Sequence, residues 1–220
     1  MGTLIGSTFR DALCADFNGT DEYAYCDDPS FEGDTAGAFA IRMRADTLLG
    51  ANGNRTLISF GSRDAGNNSV LNVLRQFRAA ATSNQNRVHA NARITNGGTQ
   101  NTVTGGTALS ATTWYSVVVQ SNGSAWSIYL NAAAETLIVS GSNTGDWMGD
   151  VSGTDHRLTF GSSFFSNAPT SYFDGRLNEC IYVGGRVLTG AEITEWHNAG
   201  VTKNPHRLSF INDIDSWWRF

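Results

Sequence analysis

A chain of 220 residues with 40% hydrophobic and 11% aromatic side chains can bury a sizeable core without disulfide or metal staples, and its length suits one large all-β domain. Charged residues make up only 16%, against a soluble average of about 25%, so Asn, Ser, Thr and Gly must cover the surface and long charged helices are excluded. The formal net charge of −5 offers no basic patch to a nucleic acid or an anionic membrane.

The opening Met1-Gly2-Thr3-Leu4-Ile5-Gly6 lacks the basic and apolar segments of a secretory leader. No apolar run approaches the about 18 residues of a membrane span. Synthesis in the cytoplasm is therefore expected. Cys14, Cys26 and Cys180 are odd in number and fit no zinc spacing, which points to small buried thiols.

Along the chain, short segments bounded by Gly, Asn, Asp or Ser carry strand signals. Phe39–Arg44 alternates apolar and polar residues, and Thr56–Gly61 is short and apolar. Val70–Arg78 could be read as a helix, but Val70 and Val73 argue against it and no cap ends it. Arg87–Ile94 alternates again. Trp114–Gln120 and Ala125–Leu130 flank Asn122-Gly123, a strong hairpin signal because both residues tolerate positive φ. Arg157–Gly161 and Leu177–Val183 follow as strands. One helix is predicted near the end. Thr189 with Glu192 forms a capping box, Ile193 and Trp196 share a face, and Gly200 supplies the stop. No βαβ alternation appears, so the sheets are antiparallel. Two parts are expected: a sandwich over residues 1–200 and an extension over 201–220.

Three stretches, in order, carry a resemblance. The first is Asp16-Phe17-Asn18-Gly19-Thr20-Asp21-Glu22-Tyr23. The second is Trp114-Tyr115-Ser116-Val117-Val118 with Ile128-Tyr129-Leu130-Asn131. The third is Phe173-Asp174-Gly175-Arg176-Leu177-Asn178-Glu179-Cys180-Ile181-Tyr182, followed by Leu188-Thr189-Gly190-Ala191-Glu192-Ile193. Over roughly residues 13–200 the chain resembles the laminin-G-like group of concanavalin A-like domains. The resemblance implies an all-β jelly-roll sandwich of two antiparallel sheets, with one short C-terminal helix. It also implies that the strands of Phe17 and Phe173 pair and bring the ends of the domain together.

Many members of that group carry calcium beside the first motif. The matching positions here are Asp21 and Asn178, with Asp16 and Glu22 as further acids. Asn178 stands where an acid is usual, and calcium wants six to eight oxygens with several carboxylates, so the expectation is no cofactor. Glycan hydrolysis needs two carboxylates on one strand face. None of Glu22, Glu32, Glu135, Glu179, Glu192 and Glu195 forms such a pair within a strand, so no enzyme activity is expected. Glycan binding, the common binding role of the group, makes Trp147, Phe164, Phe165 and Tyr172 candidate contacts, with Trp114, Trp126 and Trp196 as core. The closing Trp217-Trp218-Arg219-Phe220 is rich in interface residue types. It is expected to dock on its own domain or a neighbour, by strand addition to a sheet edge.

The first functional expectation is a non-enzymatic structural protein of a virus particle. It would be a phage capsid decoration or other particle-surface component that binds capsid protein or copies of itself through the sandwich and tail. The alternative is a carbohydrate-binding, lectin-like module, in which case the protein is extracellular.

Overall fold

The computed structural model describes residues 3–5, 8–11, 14–51, 53–78, 86–199 and 208–220. Two large antiparallel sheets face each other. The first runs, edge to edge, β1 (Thr3–Ile5), β4 (Tyr23–Asp27), β14 (His156–Phe160), β6 (Gly53–Ser62), β7 (Val70–Arg78), β8 (Arg87–Arg93), β9 (Asn101–Ala108) and β13 (Ile138–Ser140). The second runs β12 (Ala133–Ala134), β11 (Trp126–Leu130), β10 (Trp114–Ser121), β5 (Gly37–Ala45), β17 (Asp174–Gly184), β3 (Cys14–Asn18) and β2 (Thr8–Asp11). A small hairpin of β15 (Ser163–Phe165) and β16 (Ala168–Thr170) lies outside both. Val70–Arg78 is thus a strand, paired on both sides along most of its length.

Period-two alternation builds the core, because successive side chains of a strand point to opposite faces. In β5, Phe39, Ile41 and Met43 point inward, as do Val117 and Val119 of β10 and Cys180 and Tyr182 of β17. They meet Ile58, Phe60, Leu71, Val73, Val88, Ala90, Leu158 and Phe160 of the first sheet. The intervening Ala38, Ala40, Val118, Ile181 and Val183 point outward and are covered by Leu188, by Leu208 and Phe210, and by Ile193 and Trp196 of α1 (Gly190–Ala199). The helix starts as its capping box requires. The Thr189 N–H donates to Glu192 Oε2 at 2.7 Å, and the Glu192 N–H donates to Thr189 Oγ1 at 3.3 Å. Its predicted stop, Gly200, lies outside the described residues.

The strands of Phe17 and Phe173 do pair. β3 runs beside β17 from Asn18 opposite Asp174 to Ala15 opposite Leu177. Gly19 turns the chain out of β3 at φ +72° and donates its N–H to the Phe173 carbonyl. Further along the same edge, β18 (Ser216–Arg219) pairs with β17 from Ser216 opposite Tyr182 to Arg219 opposite Glu179. The C-terminal stretch is therefore a strand of the second sheet.

The Asn122-Gly123 hairpin forms with a longer loop than two residues. Pairing ends at Ser121 opposite Trp126, leaving four residues in the turn. Only Gly123 of the pair adopts positive φ. Asn122 instead accepts the N–H groups of Ser124 and Ala125 on its side-chain oxygen, an Asx-type turn. Cys14 and Cys180 are buried and Cys26 is half-buried.

Candidate functional site

The outer face of the first sheet is polar yet largely buried. One half lies under the β15–β16 hairpin, where Ser163 Oγ donates to Asn72 Oδ1 and the Phe164 N–H donates to Ser59 Oγ. The other half opens as a groove of about 370 Å³. Its lining includes Asn54, Arg75, Phe77, Arg87, His89, Thr102, Thr104 and Ile138.

Strand register assembles this groove. Arg75 stands opposite Thr56 on one side and His89 on the other, His89 stands opposite Thr104, and Thr104 stands opposite Ile138. These five residues from five neighbouring strands form one cross-strand row. A second row holds Asn54, Phe77 and Arg87, each directly opposite the next. A third holds Asn72, Asn91, Thr102 and Ser140. Members of adjacent rows mostly lie two apart along a strand and so share a face. The exception is Asn72 to Arg75, where an irregularity in β7 restores the phase.

The contacts within the rows are specific. Arg75 Nε donates to Thr56 Oγ1 at 2.9 Å and Nη1 donates to Asn91 Oδ1 at 3.1 Å. His89 Nδ1 shares a 2.8 Å hydrogen bond with Thr104 Oγ1. The Phe77 and His89 rings stack, with centroids 4.4 Å apart and planes at 24°. Asn54 Oδ1 and Asn91 Nδ2 are buried and have no hydrogen-bond partner among the described residues. Burial lowers the pKa of Arg75 to about 10, so the guanidinium stays charged at neutral pH.

Burial, and then the charge of Arg75, push His89 down to about 3. Its unfolded value lies near 6.5. The native imidazole is therefore neutral where the unfolded one gains a proton, and stability falls as pH drops from about 6.5 towards 3. Between pH 7 and pH 5 the expected loss from this residue is about 2 kcal/mol. Denaturant midpoints at pH 5, 6 and 7 should show that slope in the unaltered protein and a shallower one in His89→Gln. Equal slopes would reject the assignment.

The side chains singled out from sequence lie elsewhere. Trp147 is fully buried beside Phe39 and Tyr182, so it presents no face to a glycan. Phe164 is buried too, with the Arg157 guanidinium 4.7 Å over its ring. The hairpin folds Phe164 down onto the first sheet, which no local pattern announces. Phe165 and Tyr172 are half-buried, and neither lines the groove. Trp126 and Trp196 are core as expected, but Trp114 is 37% exposed on the outer face of the second sheet, near Arg44.

Asp21 and Asn178 are not brought together. Asp21 lies in the turn after the Asn18 end of β3, and Asn178 lies beyond the Ala15 end of the β3–β17 pairing. Asn178 lies four residues on from Asp174 along β17, about 13 Å of chain. Asp21 is tied to Asn18, the Glu22 carboxylate accepts the Asn18 N–H, and Asp16 faces Arg176 at 3.5 Å. Among the described residues no three His, Cys, Asp or Glu side chains form a metal-binding group.

In the tail, Trp218 and Phe220 point inward. Trp218 lies 5.0 Å from Phe160 and 6.4 Å from Phe39, and Phe220 lies 5.1 Å from Phe160. Trp217 packs with the α1 cluster, and exposed Arg219 lies 3.7 Å from Glu179. Trp218 and Phe220 thus pack, partly buried, against the core of their own sandwich.

Two facing antiparallel sheets, a short helix and a polar groove on one outer face define a lectin-like jelly-roll domain. Residues 18–194 match the family profile for the concanavalin A-like lectin/glucanases superfamily. The chain belongs to that family. Among solved structures it is similar to a carbohydrate-binding module, CBM40, of a Ruminococcus gnavus intramolecular trans-sialidase, bound to α2,3-sialyllactose. The identity is 15%, 88% of this chain and 95% of that one are covered, and the TM-score is 0.61. It is also similar to a heptameric SAP-like pentraxin from Limulus polyphemus, with 11% identity, 94% and 91% coverage and a TM-score of 0.60. A third similar structure is domain 4 of the extracellular arabinanase AbnA from Geobacillus stearothermophilus, in complex with arabinotriose. There the identity is 13%, the coverage 89% and 87%, and the TM-score 0.57. No curated protein sequence matches the chain.

Proposed function

We propose that this domain binds carbohydrate, without cleaving it, in the groove of the first sheet. The observation that carries the reading is the groove itself. A Phe77–His89 ring stack lies beside Arg75, Thr104 and Thr102 in one open cavity. Sugars present C–H patches on a ring face and hydroxyls around its rim. A pocket with an aromatic wall and a few convergent polar groups suits such a molecule. Among the described residues the groove lining contains no Asp or Glu, whereas glycoside hydrolysis ordinarily needs two carboxylates. The solved structures similar in fold that carry oligosaccharides support the same reading. The particle-component role expected from sequence draws no comparable support.

A glycan array probed with the purified chain tests the proposal. Binding to a defined oligosaccharide set is expected, and Phe77→Ala should weaken it about tenfold, the equivalent of 1.4 kcal/mol of lost stacking. The variant's denaturation midpoint distinguishes a lost contact from a lost fold. A folded protein that binds no glycan would reject the reading.

A further inference from the structure

We propose that the groove selects a sugar bearing a carboxylate, which docks on the guanidinium of Arg75. This rests on the carbohydrate-binding reading and deepens it. Arg75 is only 8% exposed. Its two protein partners, Thr56 and Asn91, are neutral. Among the described residues no acidic side chain acts on its charge, and burial perturbs it. A buried charge is costly unless paired and fully hydrogen-bonded. A guanidinium carries five N–H donors in a planar fork, and the two hydrogen bonds named leave the rest of that fork for the groove the residue lines.

The surroundings favour an anion over a neutral group. Among the described residues the lining holds Arg75 and Arg87 and no carboxylate, in a chain of formal net charge −5. His89, the other titratable neighbour in the row, is held neutral by its burial and supplies no counter-charge. Asn91 is fully buried behind Arg75, and its Nδ2 has no acceptor among the described residues. A planar carboxylate can accept two parallel N–H bonds from one guanidinium and neutralise its charge. A sugar hydroxyl can accept such a bond but carries no charge to neutralise the cation. A site built this way penalises the uncharged analogue, because the buried cation is then left unpaired.

Calorimetric titration with matched probes tests this on the unaltered chain. The pairs are 3′-sialyllactose with lactose, and trigalacturonic acid with its carboxyl-reduced trisaccharide. At least one acidic probe should bind at least tenfold tighter than its neutral partner. The preference should disappear in Arg75→Gln and survive in part in Arg75→Lys, with folding of each checked by its unfolding midpoint. Should the glutamine variant not fold, the probe pairs still decide the matter. Equal binding within both pairs, or tighter binding of 3′-sulfolactose than of either acidic probe, overturns the carboxylate assignment and leaves carbohydrate binding intact. Failure to bind any sugar on the array overturns both.

Discussion

Replacing Trp218 by alanine is expected to lower the unfolding free energy by about 3 kcal/mol, the lower end of the range for large aromatic truncations because the ring is only partly buried. For a domain of this size that corresponds to a fall in melting temperature of about 6–12 °C. The ring sits where the sheets meet, against Phe160 of the first sheet and Phe39 of the second, with Phe31 at 6.1 Å edge-on. Its removal leaves a cavity that these rigid rings close poorly, and it also loosens β18. Arg219→Ala is the control. Its guanidinium is exposed, and an exposed ion pair contributes about 0–1 kcal/mol. Thermal or urea unfolding of the two variants reads the difference. If Trp218→Ala were as stable as the parent, the tail would not be part of the fold.

Gly175→Ala should be at least as damaging, with a loss of about 3 kcal/mol or more. Gly175, the second residue of β17, has φ +147°, a conformation that side chains with a Cβ rarely adopt. A Cβ there would stand 2.1 Å from the Arg44 carbonyl oxygen and 2.9 Å from the Ala45 Cα. Both obstacles are backbone of β5, so neither can rotate away. Relief requires that β5 and β17 separate where β3 also joins. Gly33→Ala offers the contrast, since nothing lies within 4 Å of its Cβ position. Comparable unfolding midpoints for the two variants would contradict this account of the motif glycine.

The glycine also shows how far a motif can be read from sequence. Phe173-Asp174-Gly175 is recognisable in one dimension, but the reason for its glycine is a carbonyl 131 positions away, at Arg44. The tail is similar. Its aromatic content announced burial against something, and alternation within β18 decides what. Trp218 and Phe220 enter the sandwich, while Trp217 packs under the helix.

The groove was only half legible. Alternation in Arg87–Arg93 and in the second half of Val70–Arg78 sets Arg87, His89, Asn91, Arg75 and Phe77 apart from the core face. A single strand cannot say whether its polar face meets water or closes into a site. The sequence therefore drew attention to aromatic residues in loops, and two of these, Trp147 and Phe164, turned out to be packing residues.

What the sequence determined by itself is local. Period-two alternation defined the strands, the Thr189–Glu192 pair started the α-helix, and three ordered motifs defined a sandwich closed by the strands of Phe17 and Phe173. Tertiary structure alone decided the row Thr56, Arg75, His89, Thr104 and Ile138, the uncompensated charge of Arg75 within it, and the distance between Asp21 and Asn178. The physical reason is that alternation fixes which way a side chain points, whereas its neighbours depend on register between strands far apart in the chain. Burial of a polar face, and with it the depressed pKa of His89, exists only once those strands are in place.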